Sequence, residues 1–327
     1  MSLITPFSND IVALGELLID FTESGVSSNG NRLFEQNPGG APANLLTAAA
    51  RLGCKTAFIG KVGRDMHGAF LKETLEKEGI DTRGLVETDE VFTTLAFVAL
   101  SDTGEREFSF ARKPGADTCL KTDEIDFELI KSSRIFHFGS LSLTEEPARE
   151  ATAKAVSFAG ENGVTVTYDP NYRASLWNSG EAAVEQMKKH IESVDIIKIA
   201  DNEVEMVTGE RDLAAGAKKL CDMGVKCAAV TLGPDGALVC VGGRTKTIGA
   251  YDVAAVDTTG AGDAFFGGFL YSFLASGISV SELTLEAAAE FARVANAVAA
   301  VCVGKRGGIP AMPTLAELKA LAWVNGG

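Results

Sequence analysis

The chain has 327 residues, 46% of them hydrophobic, which is enough for one large α/β domain or two smaller ones with buried cores and too much for a disordered chain. Asp and Glu number 44 against 30 Lys and Arg, a formal charge of -14, so the summed field repels nucleic acid and anionic membrane surfaces alike. A polyanionic ligand would have to be held by local attraction, from backbone amides and a few placed cations.

Residues 1–10 lack a basic stretch followed by an apolar run, and no apolar stretch reaches membrane-spanning length, which predicts a soluble, cytoplasmic protein. Apolar runs of strand length occupy 11–20, 56–62, 134–138, 164–169, 195–199 and 227–232, with segments of helical period such as 66–79, 146–162 and 181–194 between them. Strands separated by helices imply a mostly parallel sheet covered on both faces, hence an α/β protein with three layers, α/β/α. Residues 92–100 and 106–110 break this rhythm, because two β-rich runs flank Ser101-Asp102-Thr103-Gly104 with no helix between them. Joined by part of 21–34, this hairpin predicts a small antiparallel lid over one sheet edge, contributed by about residues 16–35 and 88–115. No internal repeat, charge block or Ser/Pro linker divides the chain, so a single domain over 1–327 is expected. The six cysteines show no Cys-x-x-Cys pair and no histidine at ligand spacing, which predicts reduced thiols and no zinc.

Two glycine-rich turns carry the chemistry. Asn37-Pro38-Gly39-Gly40-Ala41-Pro42-Ala43-Asn44 opens a predicted helix over 45–52. Gly39 and Gly40 let the backbone approach a ligand, and Asn44 both donates to and accepts from hydroxyls, which suits a polyol. Asp257-Thr258-Thr259-Gly260-Ala261-Gly262-Asp263 leads directly into an apolar helix over 264–275. First-turn amides without partners, together with the helix dipole, form an anion cradle there. Asp263 in that turn is either a cap for those amides or a general base beside a transferring phosphoryl group.

Together, the two turns resemble the paired signatures of the ribokinase-like, phosphofructokinase-B-type sugar kinases, and the resemblance runs from about residue 10 to 313. It implies ATP-dependent phosphorylation of a monosaccharide, with Asp263 as base and the amides of Gly260, Ala261 and Gly262 stabilising the transferring group. Gly15-Glu16-Leu17-Leu18-Ile19-Asp20 resembles the first strand of fructokinases, where Asp20 would accept from sugar hydroxyls. The segment 108–117 resembles their lid exit, placing Phe110 and Arg112 by the sugar. Asp169-Pro170-Asn171-Tyr172-Arg173 follows a core strand, at the sheet end where ligands bind, adding Asp169, Asn171 and Arg173.

On the nucleotide side, Thr231, Gly233 and Gly236 match the family's Thr-x-Gly-x-x-Gly turn, and Asn296, in a helix over 287–303, matches a residue of the adenine pocket. The family's Asn-x-x-Glu motif falls on Ala200-Asp201-Asn202-Glu203, so its asparagine is absent while Glu203 would organise Mg²⁺ through water. A monovalent cation such as K⁺ would sit among carbonyls near Asp257 and the 305–308 loop, and the lid would pair two copies into a homodimer.

Fructose is favoured over 2-keto-3-deoxygluconate, whose kinases tend to carry tyrosine two residues before the lid arginine, where this chain has Phe110. A non-catalytic sugar-binding regulator on the same scaffold is the alternative of another class, and the retained Asp263, Gly260, Gly262 and Glu203 weigh against it. An NAD-dependent oxidoreductase is disfavoured because no Gly-x-Gly-x-x-Gly follows the first strand. Gly60-Lys61-Val62 lacks the Ser/Thr of a P-loop.

Overall fold

The computed structural model describes residues 7–100 and 106–324, so the turn at 101–104 lies outside the described residues. In chain order the strands are β1 (Asn9–Leu14), β2 (Leu18–Val26), β3 (Arg32–Gly39), β4 (Thr56–Gly63), β5 (Asp81–Thr88), β6 (Leu95–Leu100) and β7 (Arg106–Ala111). They continue with β8 (Ser133–Gly139), β9 (Thr165–Asp169), β10 (Ile196–Ala200), β11 (Cys227–Thr231), β12 (Ala237–Val241) and β13 (Arg244–Ile248). The helices are α1 (Ala41–Leu52), α2 (Met66–Lys77), α3 (Phe127–Lys131), α4 (Ala148–Glu161), α5 (Gly180–Lys189), α6 (Asp201–Thr208), α7 (Leu213–Asp222), α8 (Ala261–Ser276), α9 (Leu285–Val303) and α10 (Leu315–Val324).

The main sheet is nine-stranded in the order β13-β12-β11-β10-β9-β8-β1-β4-β5. Its strands run parallel from β11 to β5, and β12 and β13 close one edge antiparallel. Side chains alternate across the sheet, so Ile11 and Ala13 of β1 face one core while Val12 and Leu14 face the other. The first core takes Leu45 of α1, Leu71 of α2, Phe266 and Phe269 of α8 and Ala292 of α9. The second takes Ile130 of α3, Ala155 of α4, Met187 of α5, Val204 of α6 and Leu220 of α7. Fully burying side chains such as Phe266 and Phe269 contributes about 1.5–3 kcal/mol each, which anchors α8 firmly behind the site. No helix among the described residues is long and apolar enough to cross a membrane.

The segment 11–20 is not one strand. β1 ends at Leu14, Gly15 passes so close to Pro42 that a Cβ there would lie 2.6 Å from its Cγ, and from Leu18 the chain joins a second sheet. That four-stranded sheet, ordered β3-β2-β6-β7, is the predicted lid and reaches Gly39 rather than stopping near 35. It is mixed rather than wholly antiparallel, since β2 and β6 pair parallel. The reason lies in the main sheet: β2 follows β1 and β6 follows β5, so both leave the carboxyl ends of mutually parallel strands and enter the lid in the same direction. The 181–194 helix also stops early, at Lys189, and a 3-10 turn over Ile191–Ser193 carries the chain to β10.

Candidate active site

A cavity of about 650 Å³ opens at the carboxyl ends of the parallel strands, between the inner face of the lid and both glycine-rich turns. The lid alternates with period two: Asp20 and Thr22 of β2, Asn37 of β3, Val98 of β6 and Phe110 of β7 look into the cavity. The opposite face carries Phe21, Phe34 and Phe97, with Phe21 and Phe97 stacked at 5.3 Å.

Gly40 starts α1 with φ 125, and a Cβ on it would lie 2.3 Å from the Glu16 carbonyl oxygen, so only glycine fits. Glu16 Oε1 accepts the Ala41 amide at 2.9 Å and holds this turn in place, while burial pushes its carboxyl up to about 7. At the other turn Gly260 begins α8 with φ 76, and no side chain caps the helix. Among the described residues the amides of Gly260 and Gly262 have no hydrogen-bond partner, whereas that of Ala261 donates to the Thr258 carbonyl at 3.2 Å. The cradle therefore offers two open glycine amides, and Ala261 is committed to the turn itself.

Asp263, in the first turn of α8, does not fold back to cap it. Its Oδ2 accepts a hydrogen bond from Asn44 Nδ2 at 2.8 Å, which joins the two signature turns across the fold. Burial raises its pKa to about 6, helped by Asp169, against the opposing pull of Lys198, the Asn44 hydrogen bond and Arg173. Asp20 is likewise raised to about 6 by burial and by the charges of Asp263 and Asp257, with Arg173 opposing.

Of the other residues singled out in the sequence, Asn171, Arg173, Glu203, Thr231, Gly233 and Asp257 also line the cavity. Five do not. Gly39 is on the same face of β3 as Asn37 but is covered by Asp20, whose Oδ2 a Cβ there would meet at 2.7 Å, so it leaves room for that carboxylate. Arg112 does not line the cavity: Asp117 takes its Nε at 2.8 Å and its Nη2 at 2.7 Å, and Thr144 and the Leu141 carbonyl take one further donor each. Asp169 is buried against Lys198. Gly236, at φ 100, is packed against the Ile248 carbonyl, and Asn296 spends its amide on the Ile248 and Gly249 carbonyls.

Glu203 also has structural duties: its oxygens accept the Tyr172 amide at 2.5 Å and the Ala200 amide at 2.9 Å, tying the loop after β9 to the start of α6. Asp257 accepts the amides of Thr259 and Gly307, which draws the 305–308 loop to the turn before α8. No group of three or more His, Cys, Asp or Glu side chains among the described residues could hold a metal ion by itself.

The sequence reading gave no role to Lys198, which lines the cavity from β10 with its ammonium 2.9 Å from Asp169 Oδ2. The signal was present, since a lone cation between Ile197 and Ile199 in a buried strand needs a reason.

An α/β sheet with its ligand cavity at the carboxyl strand ends, an anion cradle at a helix start and a carboxylate beside it define a ribokinase-like small-molecule kinase. The chain belongs to the pfkB family of carbohydrate kinases, whose pattern matches residues 8–315, and it is an ATP-dependent carbohydrate kinase. It is 44% identical over 315 residues, covering 95% of this chain and 96% of the other, to a probable fructokinase-5 of Arabidopsis thaliana. The crystal structure of a Xylella fastidiosa fructokinase with bound ATP superposes with a TM-score of 0.90 at 32% identity, covering 97% of this chain and 99% of that one. A Vibrio cholerae fructokinase double mutant with fructose, ADP and potassium bound gives 0.84 at 31% identity, covering 96% and 98%.

Proposed function

We propose that this kinase transfers the γ-phosphoryl group of ATP to a primary hydroxyl of fructose, with Asp263 as general base. The observation that carries the reading is the 2.8 Å hydrogen bond from Asn44 to Asp263, which sets a buried carboxylate between a polyol-type turn and an anion cradle. A hydroxyl is a poor nucleophile at neutral pH, and a carboxylate aimed at its proton removes that proton as the new P–O bond forms. Asn44 leaves its Oδ1 without a partner, an acceptor of the kind a sugar hydroxyl satisfies. Asp20 and Asn37, paired across β2 and β3, would take further hydroxyls, with Asn171 and Arg173 opposite and Phe110 against the sugar's apolar face.

Thr231 and Gly233 sit on the nucleotide side. Both oxygens of Glu203 accept amides that fix its carboxylate in place, and it would hold Mg²⁺ through water, the ion neutralising phosphate charge. Carbonyls around Asp257 and the 305–308 loop would hold a monovalent cation, K⁺ included. Sugar acids such as 2-keto-3-deoxygluconate fit less well, because Asp20, Asp257 and Asp263 crowd the wall with like charge.

We read the chain as one kinase domain whose lid closes on sugar. Phe34, Phe92 and Phe97 are exposed on or beside its outer face, and pairing with a second lid in a homodimer would cover them. Free cysteines, with the sulfurs of Cys221 and Cys240 unbonded at 3.4 Å, suit the reducing cytoplasm. The test is a panel of sugars with ATP. Fructose is expected to give kcat/KM well above ribose, adenosine and 2-keto-3-deoxygluconate, and the sugar acid ranking first would overturn the assignment.

A further inference from the structure

Lys198 is a buried lysine in the middle of an apolar strand, and its surroundings explain why it is there. Asp169, at the end of the neighbouring strand β9, holds its Nζ through Oδ2 at 2.9 Å and Oδ1 at 3.2 Å. Burial alone would lower its pKa, but Asp169, Glu203 and Asp263 outweigh that and keep it raised, so the side chain is a fixed positive charge. Its other contact is with the α8 turn. A Cβ placed on Gly262 would lie 2.8 Å from Nζ and 3.3 Å from Cε, so the ammonium rests on the Gly262 backbone and any side chain there would push it away. Gly262 therefore serves two ends, a free amide and room for a cation.

The wall around it is dominated by carboxylates, and the cationic side chains among the described lining residues are Arg173 and Lys198. Arg173 is exposed, on the loop after β9, with one guanidinium nitrogen on the Tyr172 carbonyl. Lys198 is the buried one, under the cradle. An ammonium has three donors and no use for them except acceptors, and the carboxylate of Asp169 leaves at least one for a ligand.

We propose that Lys198 is a catalytic residue, its ammonium contacting a γ-phosphoryl oxygen held by the Gly260 and Gly262 amides, and that Asp169 is the residue that positions it. The inference rests on the reading of the α8 turn as the phosphoryl cradle. In the transfer, the sugar oxygen bonds to the γ-phosphorus, its proton passes to Asp263, and the β,γ-bridging bond breaks with its electron pair leaving on ADP. Lys198 keeps its proton throughout and opposes the charge on the oxygens in flight.

The γ-phosphoryl is present in ATP and absent in ADP, which gives a test independent of turnover. Calorimetric titrations with each nucleotide and magnesium should show Lys198→Met weakening ATP about tenfold or more, with ADP changed less than about threefold. Turnover should fall by about 10²-fold. The double variant Asp169→Asn/Lys198→Met removes both halves of the ion pair, so Asp169 is not left as an unpaired carboxylate, and it should keep the fold with the same ATP-selective loss. Wild-type protein supplies a check without any variant: the Lys198 ammonium resonance should shift on adding ATP and stay put with ADP. ATP and ADP weakening together, neither weakening, or an ammonium signal blind to ATP would each overturn the proposal and leave a purely structural ion pair. Asp263→Asn in the same series judges the base separately, since its normal turnover would sink that reading whatever the nucleotide titrations show.

Discussion

The two walls of the cavity are built on opposite principles. On the phosphoryl side, Asn44 with Asp263 and Lys198 with Asp169 are nearly inaccessible and form two hydrogen-bonded pairs, on elements whose other faces are packed into the two main cores. On the lid side, Asp20, Thr22, Asn37 and Phe110 are half-buried, and the sheet that carries them exposes aromatic rings on its back. Charge stabilisation in a transition state requires groups that do not reorganise, whereas capture and release of a sugar require a surface that moves. The difference assigns chemistry to the first wall and recognition to the second.

Asp263→Asn is the most severe test of that division. Turnover should fall by roughly 10²–10⁴-fold, the range for a lost general base, while sugar and ATP affinities change only a few-fold. Asparagine keeps the shape and an acceptor for Asn44, so near-normal turnover in the folded variant would leave Asp263 a purely structural partner of Asn44 and erase the chemical wall. On the opposite wall, Asp20→Ala should act through binding, weakening the sugar by about 1–3 kcal/mol with a smaller change in turnover. A variant with unchanged KM would remove Asp20 from the sugar site.

Acid should touch both walls at once. Asp263 and Asp20 are each raised to about 6, and under the proposed function each would act as a carboxylate, so kcat/KM should be level above pH 7 and fall as pH drops through about 6. The fall should approach tenfold per pH unit, and twice that slope on a logarithmic scale if both groups must be ionised. In Asp20→Asn the steeper limb should relax to a single proton, and a profile still steep there would place the second titration elsewhere. A gentler contrast is motion: amide exchange in β6 should slow several-fold on adding sugar, with β10 unchanged. Equal protection with and without sugar would deny that the lid closes.

The chemical wall was the more legible of the two in the sequence. A turn that requires glycine at positive φ, as at Gly40 and Gly260, leaves a local mark, and so does a carboxylate at a fixed step from it. Relations between distant segments leave none. Lys198 stands out in the sequence as a lone cation in an apolar strand, but its place beneath Gly262 is visible only in the fold, as is the pairing of Arg112 with Asp117. The 11–20 run reads as one strand because its hydrophobicity is continuous, and the close approach of Pro42 to Gly15, where the chain passes from one sheet to the other, belongs to a distant segment. The edge strands β12 and β13 were missed although Gly242-Gly243, both at positive φ, is a two-residue hairpin turn that the sequence offers.

The smallest expected effect concerns stability, and it separates a strained carboxylate from a merely exposed one. Asp20 has a folded pKa of about 6 against an unfolded value near 3.8, so the folded state binds its proton more tightly than the unfolded state does. The stability linked to that proton is fully present below about pH 4 and is lost as pH rises through about 6. At neutral pH the wild-type fold therefore carries an uncomfortable charge that Asn, of the same shape, does not. The shift would correspond to about 3 kcal/mol if the group were wholly shielded, and partial exposure of Asp20 to solvent reduces this to about 1–2 kcal/mol. Asp20→Asn should then raise the Tm by about 2–4 °C at pH 8, with the gain vanishing near pH 4, where both proteins are neutral at this position. Thermal unfolding of the two proteins at both pH values decides the matter. A gain of equal size at both, or a loss at pH 8, would mean that the carboxylate is at ease in the empty site and that the lid wall holds no charge strain for a sugar to relieve.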